Sequence, residues 1–204
     1  LEKLLEYFDG SKKAVVWVAI YMLLANFCYQ GTVALFVSLA LIFILKYSKD
    51  IKDFIKNNVV TALLYGIPAL INYIIVKFVF TNARMNGKYD ILLSVTKVSE
   101  GIKSMFNTYS ILPKYVFIIA IIATIGIIVY SICKQKNNMK DKAIQILGIA
   151  YIIVGALCVT ILPQFMQATD SIWFVARSSY AFGGIVGLLL AYLFVFEVII
   201  PLKK

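Results

Sequence analysis

Residues 14–45 read AVVWVAIYMLLANFCYQGTVALFVSLALIFIL, and none of them carries a charge. An upright helix needs about 20 apolar residues to cross a hydrocarbon core of about 30 Å, so this run is too long for one span and only just enough for two. Tyr29, Gln30 and Gly31 break its apolar character and are read as a turn. The two predicted spans, 14–29 and 31–45, then have about 16 residues, or about 24 Å, each. A local dip in the membrane, or a cavity at the turn, would relieve that mismatch.

The same character runs through the rest of the chain. Of its 204 residues 62% are hydrophobic and 15% charged, against about 45–50% and about 25% in ordinary globular domains. One soluble core could not hide so much apolar surface, so lipid has to be part of the solvent. Further spans are predicted at 59–80, 115–133, 143–162 and 181–200. The expected fold is an all-α polytopic transmembrane helical bundle of about six spans, one transmembrane domain over 1–204. Gly66 and Pro68 would kink the third span, which neighbouring helices tolerate. Pro163 would close the fifth.

Two segments are read as amphipathic. Leu1, Leu4, Leu5 and Phe8 recur at helical spacing with Glu2, Lys3, Glu6 and Asp9 between them and Gly10 after them, which predicts a short interfacial helix lying on the membrane surface. The longest polar stretch, 81–114, carries Ile91, Leu92, Val95, Val98 and Ile102, which predicts a partly helical outer loop with one apolar face. The opening residues LEKLLEYFDG are neither a signal peptide nor a tag, and the expectation is that the chain is part of a longer protein.

The net charge of +10 does not point to nucleic acid, because the basic residues sit in short clusters between apolar runs. Six spans would gather Lys3, Lys12, Lys13, Lys46, Lys49, Lys52, Lys56, Lys134, Lys136, Lys140, Lys142, Lys203 and Lys204 on one side, thirteen of the 20 basic residues. By the positive-inside rule that side, with both termini, is cytoplasmic. The expected location is a membrane crossed several times by the chain. Cys28, Cys133 and Cys158 are far apart and histidine is absent, which removes the raw material of disulfide scaffolds, zinc sites and histidine catalysis. No metal ligands and no cofactor are identifiable.

Function is therefore sought among the three outward segments: the turn at Tyr29, the loop 81–114 and the loop 164–180. Arg177 is one of only two arginines. Its planar fork suits two-point contact with phosphate, Ser178 and Ser179 add hydroxyls, and Trp173 suits the headgroup level. An arginine that snorkels to lipid headgroups is the alternative. Asp170 lies seven residues earlier, and only Asp90 and Glu100 are other carboxylates on that side. A carboxylate there could take a proton from an acceptor hydroxyl, or be a solvated loop charge. Tyr29 and Gln30 could hydrogen-bond a sugar, or simply make the turn. Glu197 and Lys77 lie near span ends and are read as snorkelling to the interface. Gly183, Gly184 and Gly187 lack the lysine and strand of a phosphate loop, and close helix packing is expected of them.

A span ending in Tyr29 and Gln30 that runs straight into another apolar helix, a lysine-rich loop, and the late stretch SIWFVARSSYAFGGIVG at 171–187 together resemble the later part of the bacterial type II serotype-conversion glucosyltransferases, of the C-type membrane glycosyltransferase class. The resemblance implies a membrane enzyme that takes a sugar, here glucose, from a polyprenyl-phosphate carrier and adds it to a cell-surface glycan on the outer face. It implies Arg177 on the donor phosphate, with Tyr29 and Gln30 lining the substrate cavity; Asp170 and Ser178, singled out by their place beside that arginine, complete the expected substrate-binding residues. The family's key aspartate lies in a first outward loop, upstream of the part that this chain resembles, so the chain is expected to be inactive alone. Ala176 stands where many relatives have proline before the arginine.

Two other classes compete with this one. A non-enzymatic transporter or flippase subunit would be expected to show internal repeats or charged, broken helices near the midplane, and neither is visible. A structural scaffold would leave the outward loops without a role.

Overall fold

The computed structural model describes residues 1–28, 30–79, 88–108, 113–136, 138–172 and 180–196, with backbone alone at 30–32, 107–108, 166 and 180. All the secondary structure among them is helical. The elements are α1 (Glu2–Phe8), α2 (Lys12–Cys28), α3 (Gln30–Tyr47), α4 (Ile51–Phe78), α5 (Ile91–Thr108), α6 (Lys114–Lys134), α7 (Met139–Ile161), two 3-10 turns (Leu162–Met166 and Thr169–Ser171), α8 (Tyr180–Gly183) and α9 (Ile185–Val195). Among the described residues three helices are long and apolar enough to cross a membrane: Ile51–Phe78, Lys114–Lys134 and Met139–Phe165. Val33–Tyr47 and Ile185–Val195 are shorter apolar helices.

The surface of these helices is what a bilayer requires. Of the most apolar stretches of the three long helices only 22%, 28% and 33% is buried inside the protein. The pattern is clearest on α4, where Asn57, Thr61, Leu64, Pro68 and Asn72 are buried while Val59, Leu63, Ile67, Leu70 and Ile74 are exposed. A water-soluble helix turns its polar stripe outward. Here the polar stripe faces the protein and the apolar one faces out.

The lysine clusters are shorter as loops than the sequence suggests. Lys52, Asp53 and Lys56 belong to the first turns of α4, which starts where the Asp50 carboxylate accepts the Asp53 N–H at 2.7 Å. Only Ser48–Asp50 link α3 to α4. A helix of 28 residues is about 42 Å long, so α4 exceeds the hydrocarbon thickness and carries these charges beyond it. At the next turn Asn138 caps α7 through the Asp141 N–H at 2.8 Å, and Lys142 donates to the Cys133 carbonyl at 2.7 Å, satisfying a last-turn acceptor of α6.

The central seam joins α3, α7 and α9. Ile42, Ile152, Ile185, Leu189 and Tyr192 are essentially inaccessible. Helices in lipid associate through close packing rather than through hydrophobic exclusion, and small residues permit it. Gly148 and Gly155 are those residues: a methyl at Gly155 would collide with Leu41 Cδ1, and one at Gly148 would lie 2.9 Å from the Tyr192 hydroxyl. The Tyr192 hydroxyl passes over Gly148 to donate to the Gln145 carbonyl at 2.8 Å. Close packing was expected instead of Gly183 and Gly187, but both have open space where a side chain would go.

Two segments pack in ways the sequence does not state. The first helix packs on the bundle: α1 runs back along α2, with Leu4 buried in one cluster with Val18, Met22 and Val33 and the Phe8 ring 5.6 Å from that of Tyr47. Gly10, at φ +107, makes the reversal, a backbone state that side chains resist. Lys3 and Glu6 pair at 2.5 Å, offsetting each other's charge beside the apolar helices. In α5 the apolar face also divides. Val98 and Met105 are buried, with Ile102 packed against the core, whereas Ile91, Leu92 and Val95 are exposed.

Candidate functional site

At the end of the bundle opposite the lysine-rich turns, two segments far apart in sequence are tied together. Pro163 ends the regular hydrogen bonding of α7, and the chain turns through Leu162–Met166 before it reaches the 3-10 turn Thr169–Ser171. Thr169 is buried, and its hydroxyl accepts the Asp90 N–H at 2.8 Å. The same hydroxyl lies 2.9 Å from the buried Ser94 hydroxyl. The Thr169 N–H donates to the Lys88 carbonyl at 3.1 Å, and Lys97 Nζ donates to the Thr169 carbonyl at 3.0 Å. Asp90, meanwhile, caps α5 by accepting the Leu93 N–H at 3.0 Å. Every polar atom of Thr169 is thereby used, as burial demands.

The result is a rigid platform from which Asp170 projects. Its side chain is 82% exposed, and its carboxylate stands 3.6 Å from Lys97 Nζ. The knot holds the backbone on the N-terminal side of the carboxylate, so a solvent-facing anion is presented in a fixed place beside one cation. Such a carboxylate can accept a proton or a hydroxyl hydrogen bond from a molecule arriving from water.

Of the predicted site residues, Asp170 is therefore placed on the platform. Arg177, Ser178 and Tyr29 lie outside the described residues, as do Trp173 and Glu197. Gln30 opens α3, with only its backbone described. Ser94, Lys97 and Thr169 went unread in the sequence. Asp90 three residues before Leu93 is a legible cap signal, but the contacts of Thr169 span 75 and 79 residues, and no local pattern encodes them.

Nearby on α4, Lys77 Nζ donates to the Tyr73 hydroxyl at 3.2 Å and stands 6.0 Å from the centre of the Tyr89 ring. Hydrogen bonding with Tyr73, then burial, pushes the Tyr89 phenol up to about 12, so it is neutral throughout the physiological range. Deeper in the bundle, Asn72 Nδ2 donates to the Asn26 carbonyl at 3.2 Å and Asn26 Nδ2 to the Met22 carbonyl at 2.8 Å. A separate cavity of ≈ 530 Å³ lies between α1, α2 and α3, with Tyr21, Met22, Val33 and Phe36 in its wall. Its charged side is formed by Glu2 and Lys3.

Among the described residues no group of His, Cys, Asp and Glu could hold a metal ion. Comparison with known protein families, curated proteins and solved structures finds no match.

Proposed function

We propose that this chain is the later membrane part of a glycosyltransferase that moves a sugar, glucose, from a polyprenyl-phosphate carrier to a cell-surface glycan. In this reading the bundle has six spans, with α2 and α3 as the two short ones. It sits in a bacterial inner membrane with its lysine-rich turns in the cytoplasm and the Asp170 platform on the outer side. The observation that carries the reading is the Asp90–Ser94–Thr169 knot. It anchors the start of the segment leading to Arg177 and holds an exposed carboxylate seven residues from that arginine. Phosphate and hydroxyl chemistry need such groups close together.

The chemistry follows from charge. As the acceptor oxygen bonds to the sugar carbon, the bond from that carbon to the phosphate oxygen breaks, and the electron pair leaves with the lipid phosphate. Arg177 would stabilise that charge, Asp170 would take the acceptor's proton, and Tyr29, Gln30 and Ser178 would hydrogen-bond the sugar. The family's key aspartate belongs to the upstream part of the enzyme.

The test is transfer by the complete protein in membrane vesicles supplied with polyprenyl-phosphate glucose and acceptor glycan. Arg177→Ala and Arg177→Lys should insert normally and lose most of the transfer, the second because an ammonium cannot make the two-point contact. Undiminished transfer by Arg177→Ala would exclude the assigned role.

A further inference from the structure

The first two turns of α5 expose apolar side chains that the fold does not use. Ile91 and Leu92 are each 81% exposed and Val95 53%. At 100° per residue the helix divides into sectors. Ser94, Val98, Gly101 and Met105 face the protein and are buried. Ile91, Val95 and Leu92 point about 50°, 90° and 150° away from their centre, and Lys103, Thr96 and Glu100 about 170°, 190° and 230°. The last three are exposed and polar. A helix lying between protein and water has no use for large apolar side chains this exposed, so the first two turns call for a third environment.

Its position says which one. Tyr89, two residues before Ile91, has its hydroxyl 3.5 Å from that of Tyr73, and Lys77 lies beside both rings. Tyrosine and lysine at the end of an apolar helix mark the level of the lipid headgroups. Around them α4 exposes Leu70, Ile74 and Phe78, its lipid-facing side, so the apolar sector of α5 begins where that lipid-facing belt ends. The knot at Thr169 fixes the helix from its other side, which prevents α5 from rolling Ile91 and Leu92 inward.

We propose that α5 is an interfacial helix whose Ile91, Leu92 and Val95 side chains are inserted among the lipids of the leaflet at that end of the bundle. The platform carrying Asp170 is thereby held at the membrane surface, at the level of lipid headgroups. This inference rests on the transmembrane reading of α4, not on the enzymatic one.

The test uses the full protein, with Cys28, Cys133 and Cys158 replaced by serine, reconstituted in phosphatidylethanolamine–phosphatidylglycerol vesicles. Single nitroxide labels are placed at 91, 92, 95, 96, 100 and 103, and collisions with oxygen, which concentrates in lipid, are compared with those of a water-soluble nickel chelate. Oxygen should dominate several-fold at 91, 92 and 95, and the chelate several-fold at 96, 100 and 103. Dominance of the chelate at all six positions would overturn the proposal, and so would exclusion of both reagents from 91, 92 and 95, which would mean cover by protein or a second copy of the chain. A label at 67 on α4 should also favour oxygen; if it does not, the transmembrane reading itself fails. Should the label at 95 lower the unfolding midpoint, positions 91 and 92 carry the decision, being the more exposed.

Discussion

The seam of α3, α7 and α9 and the platform at Thr169 are both rigid, for opposite reasons. The seam is held by shape: Gly155 receives Leu41, and Gly148 lets Tyr192 pass over it. The platform is held by direction, through hydrogen bonds from Asp90, Ser94 and Lys97 onto one threonine. In lipid both partners of an apolar contact have an equally apolar alternative, so only fit distinguishes the folded state. Near water the alternative for each polar group is a hydrogen bond to solvent, so geometry and burial decide. The seam should therefore be sensitive to volume and the platform to the loss of single polar atoms.

The largest effect is expected at the seam. Gly155→Leu inserts four carbons against Leu41 and should destabilise the protein by about 3 kcal/mol, the upper part of the usual range for overpacking. This would appear as a lowered unfolding midpoint in detergent. Gly155→Ala should cost far less, because the colliding atom is the end of a leucine that can rotate. Adding Leu41→Ala to Gly155→Leu should restore much of the loss. Purely additive effects in that cycle would show that Leu41 is not the obstacle.

At the platform, Thr169→Val keeps the shape and removes the hydroxyl. The Asp90 N–H and the buried Ser94 hydroxyl lose their partner, at about 1–3 kcal/mol. The cost should be local: hydrogen exchange should quicken over residues 88–97 while the global unfolding midpoint changes little. A uniform loss of protection across α7 and α9 would mean that the two regions are not separable. Ser94→Ala, which leaves Thr169 bonded to Asp90, should show the same pattern more weakly.

These two regions also differ in how far the sequence discloses them. The helical fold and the apolar character of α4, α6 and α7 are readable from residues 14–45 and their successors, because uninterrupted apolar length is a local property. The caps at Asp50 and Asn138 are local too. Gly155 against Leu41 is not, since nothing near residue 155 states which helix will face it. Gly183 and Gly187 were expected to pack closely because they open an apolar helix, but an apolar helix does not by itself say which of its glycines meets a neighbour. The packing of α1 was not legible for a related reason. Its leucine stripe fits a lipid surface and a neighbouring helix equally, and Leu4 found Val18 and Met22. Asp170 was legible as a loop carboxylate, but the threonine, serine and lysine that position it act across 72 to 79 residues.

A smaller effect is expected between the seam and the platform. Asn72 reaches the Asn26 carbonyl from α4 to α2, a polar contact with apolar surroundings. Asn72→Leu should cost only about 0.6 kcal/mol, the usual scale of interhelical hydrogen bonds in bilayers, since the freed groups find other partners there. A loss comparable to that of Gly155→Leu would show that direction as well as shape governs the bundle interior.

The smallest stability effect belongs to Asp170. Its carboxylate is 82% exposed and 3.6 Å from Lys97, a distance at which solvent and salt screen most of the attraction. Asp170→Asn should shift stability by no more than about 0.5 kcal/mol, and added salt should erase the difference. If the carboxylate takes the acceptor's proton, the same variant should lose most transfer in the complete enzyme, because an amide has no basic oxygen to offer. A variant with both stability and transfer unchanged would make Asp170 a solvated loop charge. One destabilised like Thr169→Val would make it part of the knot, and only a stable, inactive variant separates a group held out for chemistry from one held in for structure.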